Sequence, residues 1–111
     1  MAKSDFYTNI FDVVRLIPKG RATSYGAIAK YLGAAKSSRV VGWAMNQSHT
    51  LEDKIPAHRV VNRLGMLSGK MHFPSPDAMQ ERLESEGIMI KRDLIQNWDA
   101  VFWDPNQELD Y

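Results

Sequence analysis

Ser24-Tyr25-Gly26-Ala27-Ile28-Ala29-Lys30-Tyr31-Leu32-Gly33, followed after a short turn by Ser37-Ser38-Arg39-Val40-Val41-Gly42-Trp43-Ala44-Met45-Asn46-Gln47, is the stretch that decides the fold. In its first segment Tyr25, Ile28, Ala29 and Leu32 recur at three- and four-residue spacing, the period of one helix face. Ser24 suits the N-cap, where its hydroxyl can accept a backbone N–H that has no partner inside the helix. Gly33 suits the position just past the end, where φ is positive. Ser37 or Ser38 can cap the next helix, expected from Arg39 to Gln47. Two short helices joined by a few residues containing glycine predict a helix-turn-helix.

Working outward, Ser4 can cap an amphipathic helix carrying Phe6, Ile10, Val13, Val14 and Ile17 near one face, which Pro18-Lys19-Gly20 ends. Downstream, residues 48–56 read as a polar loop closing at Pro56. Val60-Val61 and Met66-Leu67 flank the turn-rich Asn62-Arg63-Leu64-Gly65 and predict a small β-hairpin, or wing. Ser75-Pro76-Asp77 predicts a helix start with proline at its first position, running to a terminal glycine at Gly87. In the tail, Trp98, Phe102 and Trp103 sit among acids, either packed back on the core or partly exposed for a partner. The fold class expected is mainly α with a small β-hairpin, a winged-helix-like helix-turn-helix domain occupying residues 1–111 as one unit.

Composition bounds the function. The chain has 111 residues, 44% hydrophobic and 24% charged, enough apolar side chain for one compact core. No apolar run approaches the ~18 residues of a spanning helix. The N-terminus leads straight into an amphipathic segment without the apolar stretch of a secretory signal, so a cytoplasmic, non-membrane protein is expected. There are no cysteines, which excludes disulfides, thiolate metal sites and cysteine nucleophiles. No metal or cofactor is expected. The net charge of +1 hides a segregation: residues 15–70 hold ten cations against Glu52 and Asp53, a balance of +8, and residues 71–111 carry −6. A basic segment of this kind suits a polyanion, with a solvated surface of chance segregation as the plain alternative.

Pro56-Ala57-His58-Arg59-Val60-Val61 sharpens this. Here the chain resembles the DNA-binding domain of the O6-alkylguanine-DNA alkyltransferases, whose signature is Pro-Cys-His-Arg followed by two aliphatic residues. The resemblance extends through Gly20 to Tyr25 with its Ser-Tyr pair, Ser38-Arg39-Val40-Val41-Gly42 with Ala44-Met45, Ser68-Gly69, and Glu86-Gly87. It covers about residues 5–88, leaving 89–111 as a C-terminal extension. The nucleophile position holds Ala57, which resembles the alkyltransferase-like proteins, relatives in which tryptophan or alanine replaces the cysteine. A methyl side chain has no lone pair to attack an alkyl group, and no thiol exists elsewhere in the chain to substitute.

The resemblance implies a non-enzymatic module that binds double-stranded DNA containing O6-alkylguanine. It would hold the damaged base flipped out of the duplex and, acting as a monomer, flag it for nucleotide-excision repair proteins. It implies that Arg39 enters the base stack in place of the departed nucleotide, the plainer alternative being an ordinary phosphate contact at a helix start. Tyr25 corresponds to a tyrosine that crowds the target phosphate, and Ser38, Gly42, Ala44, Asn46 and Arg59 join the DNA-binding set. The base pocket is expected from Ala57, Val60, Val61, Met66, Leu67, Ser68, Gly69, Lys70 and the loop around 47–50. Lys70 could meet base or phosphate. His58 and Glu86, partners of the cysteine in true alkyltransferases, are either structural or able to activate a water. Two other functions remain open: a hydrolytic DNA dealkylase using His58 and Glu86, and a winged-helix transcription regulator that prefers a defined, undamaged site.

Overall fold

The computed structural model describes residues 2–49 and 55–109. Helix α1 (Ala2–Arg15) comes first, then strand β1 (Thr23–Ser24), helix α2 (Tyr25–Tyr31) and helix α3 (Ser38–Ser48). Strand β2 (Val60–Val61), helix α4 (Ala78–Ser85), strands β3 (Ile90–Lys91) and β4 (Leu94–Ile95), and the short helices α5 (Trp98–Val101) and α6 (Pro105–Glu108) complete the order. Single 3₁₀ turns precede α3 at Ala35–Ser37 and β2 at Ala57–Arg59, and a third covers Lys70–His72.

The helix-turn-helix forms from the caps expected of it. The Ser24 hydroxyl accepts the Ala27 amide at 3.1 Å and starts α2. At its end Gly33, with φ +76°, donates to the Lys30 carbonyl while Ala34 donates to Ala29, the paired bonds that close a helix through a left-handed residue. Gly87 (φ +92°) ends α4 in the same way, with Gly87 bonded to Glu84 and Ile88 to Leu83. Other starts differ. The first helix begins at Ala2, so Ser4 lies inside it. Neither Ser37 nor Ser38 caps α3 through its side chain, because the 3₁₀ turn feeds directly into the helix. Asp77 occupies the N-cap of α4, which sets Pro76 before the helix rather than at its first position.

The mainly helical class with one small antiparallel strand pair stands, but the pair is elsewhere. Val60-Val61 does not pair with Met66-Leu67. It runs parallel to Thr23-Ser24, with Thr23 opposite Val60 and Ser24 opposite Val61. The antiparallel pair is β3 with β4. The 62–65 turn does form, with Gly65 donating to Asn62 at 2.9 Å, but Met66 bridges Leu94 and the Leu67 amide donates to Asp93. Both side chains of β2 are buried in the core, which a solvent-facing wing would not require.

One apolar cluster holds the molecule, and the tail is part of it. Ile10, Val14 and Ile17 from the N-terminal segment, Ile28, Val41 and Met45 from the helix pair, and Ile88, Ile95 and Trp103 from beyond the later helix are all buried together. Trp103 packs inward, its amide donating to the Ala22 carbonyl at 2.8 Å, and Trp98 lies half-buried against Gly65. Arg21 fixes the same tail through the carbonyls of Val101 and Phe102. None of the helices is long and apolar enough to cross a membrane among the described residues.

Candidate nucleic-acid interface and the buried carboxylate node

Helix α3 presents two faces at one spacing. Val41, Ala44, Met45 and Ser48 are buried, and Arg39, Gly42, Trp43 and Asn46 stand on the other side. That second face, with Ser38, forms one wall of an open cavity of about 390 Å³. Tyr25, Ser68, Gly69 and His72 supply the rest of its lining. Seven of the residues expected at the site are therefore brought together: Tyr25, Ser38, Arg39, Gly42, Asn46, Ser68 and Gly69. A Cβ at Gly42 would meet nothing within 4 Å, so its side of the helix stays low and open. Arg39 is exposed and makes no ion pair or hydrogen bond among the described residues. At Gly69 the reason for glycine is close contact, since a Cβ would stand 2.9 Å from the Tyr25 hydroxyl. Burial pushes the Tyr25 phenol up, opposed by its hydrogen bond with the Ser68 side chain. The phenol is neutral at pH 7 and repels no anion.

Other expected site residues are not part of this lining. Ala57, Val60, Val61 and Leu67 belong to the core, each 5% exposed or less. Ala44 is fully buried. It shares small size with Gly42, but two residues on is about 200° around a helix, which turns it to the interior. Met66 is exposed and occupied by its bridge to Leu94. Lys70 Nζ donates to Asp93 at 2.6 Å, so its charge is shared with the tail. Of the loop around 47–50, residue 50 lies outside the described residues. Trp43 and His72 were not anticipated as lining. The i, i+3, i+4, i+7 spacing of 39, 42, 43 and 46 was the signal that could have found Trp43; for His72 there was none.

Arg59 departs furthest from expectation. Its guanidinium is turned inward, Nη2 and Nε both on Glu86 and Nη1 on the Ile17 carbonyl at 2.8 Å. Glu86 also accepts from His58 Nε2 at 2.8 Å and from the Gly20 amide at 3.3 Å. The side chains of His58, Arg59 and Glu86 are 12%, 12% and 9% exposed, a nearly dry node. Gly20, at φ +83°, carries the exit of the first helix to this point and aims its N–H at the carboxylate. Burial alone would raise the Glu86 carboxyl, but hydrogen bonds from Arg59, His58 and the Gly20 amide outweigh it and hold the group at about 2. Burial pushes His58 below the usual histidine value despite the pull of Glu86. An ionised carboxylate beside a neutral imidazole requires Nε2–H to donate, which leaves Nδ1 as an acceptor. The node therefore can orient an imidazole and tie together the exit of α1, the 57–59 turn and the end of α4. Its carboxylate stays ionised near neutral pH.

The chain is similar in sequence and fold to proteins of one family. A family model described as the DNA-binding domain of 6-O-methylguanine DNA methyltransferase matches residues 5–88. Alkyltransferase-like protein 1 of Schizosaccharomyces pombe is 39% identical over 90 residues, 81% of this chain and 82% of that one. A DNA base-flipping protein of Escherichia coli is 36% identical over 93 residues, 81% of this chain and 68% of that one. The crystal structure of S. pombe Atl1 in complex with damaged DNA containing O6-carboxymethylguanine is similar throughout. It has a TM-score of 0.79 at 35% identity and covers 92% of this chain and 97% of that one.

Proposed function

As the chain belongs to the family of the 6-O-methylguanine DNA methyltransferase DNA-binding domain, we propose that it binds duplex DNA containing O6-alkylguanine and holds the damaged base extruded without removing the alkyl group. One observation carries the proposal. Ala57 sits buried beside an otherwise complete His58–Glu86 pair, in a chain with no cysteine. The dyad that would lower a thiol pKa is in place, and the atom that would accept the alkyl group is not.

What is left is a grip. Extruding a nucleotide costs a few kcal/mol, less for a weakly paired damaged base, so discrimination begins at that step. Arg39, exposed in the cavity lining, is the group to fill the vacated place in the stack, since a planar guanidinium can stack and donate hydrogen bonds at once. Tyr25, held by Ser68 and Gly69, stands where a neutral hydroxyl can approach a rotated phosphate. A protein that binds and does not turn over acts through its lifetime on the lesion. Its role is then to hand the site to nucleotide-excision repair and, meanwhile, to deny the base to a true alkyltransferase.

The test is equilibrium binding to matched duplexes carrying guanine or O6-methylguanine, with a labelled methyl group followed on DNA, protein and in solution. Tighter binding to the lesion with the methyl retained on DNA is the expected result. Equal affinity for both duplexes refutes lesion recognition. Label on the protein or released as methanol refutes the absence of chemistry.

A further inference from the structure

We infer that Trp43 is a stacking surface for an unpaired nucleobase, and that it sets part of the affinity with which the exposed face of α3 holds DNA. This rests on the proposed reading of that face as the DNA interface and adds a residue to it.

The three tryptophans have different surroundings. Trp103 is 4% exposed in the core, and Trp98 packs on Gly65 while its Nε1–H donates to the Arg63 carbonyl at 3.2 Å. Trp43 is 50% exposed, and its indole N–H meets no acceptor among the described residues. No other Phe, Tyr or Trp ring among them is exposed to this degree. Among the described residues no hydrogen bond accounts for a large, half-exposed ring here, on a surface otherwise made of small and polar side chains.

Its neighbours on the face decide the occupant. Arg39 stands one turn before Trp43 and Asn46 one turn after, and all three line the same cavity. An arginine without a carboxylate partner, an aromatic ring with a free face and an amide that both donates and accepts are the chemistry of a nucleobase site. The ring takes the π-face, the amide a base edge, and the cation the backbone or a neighbouring base. A protein partner would ask for a continuous apolar patch, whereas Ser38, Gly42 and Asn46 interrupt this one. Gly42 beside the ring leaves open space that a side chain would fill. Every base has a π-face, so the contact is tolerant of sequence, and a base must be out of its pair to offer that face fully.

The experiment titrates the protein with a fully paired duplex, the same duplex with one unpaired base, and the duplex bearing O6-methylguanine. Trp43→Ala should weaken binding to the two unpaired or damaged duplexes by about fivefold or more, with Trp43→Phe staying within about twofold of wild type. Tryptophan emission should be quenched on binding by the wild type and hardly at all by Trp43→Phe, which keeps Trp98 and Trp103. A thermal midpoint unchanged in both variants shows that only the surface was altered. Trp43→Ala binding within twofold of wild type, or quenching of equal size in Trp43→Phe, overturns the inference. If wild type holds lesion and intact duplexes equally, the lesion reading fails, while the Trp43 effects on the unpaired-base duplex still decide the stacking role. No binding to any duplex overturns both.

Discussion

Glu86 is the residue on which most of the site's order converges. One carboxylate accepts from His58, Arg59 and Gly20, and through them joins the 57–59 turn, the exit of α1 and the end of α4. Removing it would strand a guanidinium and an imidazole N–H in a nearly dry place. Glu86→Ala should therefore destabilise the protein by roughly 3–5 kcal/mol, the scale for breaking one side of a buried ion pair. Urea unfolding measures this, and a loss under about 1 kcal/mol would show the node to be solvated. His58 and Glu86 thus tie separate parts of the chain together whether or not a thiol is present.

At the scale of elements, α3 separates buried from exposed side chains by angle alone, while the region after β2 depends on pairing with the distant tail. The turn at Asn62-Arg63-Leu64-Gly65 is closed locally, yet its far side meets Asp93 to Ile95 and the Trp98 ring instead of Val60 and Val61. Gly65 has φ +82°, and a Cβ there would stand 3.0 Å from the Trp98 ring. Gly65→Ala should cost about 1–3 kcal/mol from overpacking and backbone strain together. In a Trp98→Ala background part of that cost should vanish, because the steric contact is gone and the strain remains. Equal costs in both backgrounds would show that the ring contact contributes nothing.

Across the whole molecule the charges do several jobs. Arg21 and Arg59 are engaged in internal ties, Lys70 is paired with Asp93, and Arg39 at the cavity has no partner among the described residues. Acid should weaken the fold early. His58 and His49 are both held below the ordinary 6.5, mainly by burial, so the unfolded chain takes up their protons first. Their contribution is whole above pH 6.5 and is lost as pH falls toward the folded values. Glu86, held at about 2 against an ordinary 4.5, adds stability that is whole above 4.5 and is lost as pH falls toward 2. The urea midpoint should thus decline steadily below pH 7. Exchanging His49 and His58 together for glutamine should flatten the part between pH 7 and 5. A midpoint as steep in that variant as in wild type would remove the histidines from the account.

The sequence alone determined whatever depends on neighbours a few residues apart. The Ser24 cap, the left-handed glycines at 33 and 87, the two helices and the spacing of Arg39, Gly42 and Asn46 follow from local hydrogen bonds and a 3.6-residue period. The missing thiol and the motif around Ala57 were likewise legible, since chemistry that needs an atom cannot proceed without it. Only the tertiary structure decided which partner each long side chain and each strand would take. Val60-Val61 could read as one arm of a local hairpin, and Arg59 as a phosphate contact. A strand's ladder and a guanidinium's donors are satisfied by whichever group the fold brings near. Here those groups are Thr23-Ser24 and Glu86, tens of residues away along the chain and adjacent only once the core has closed.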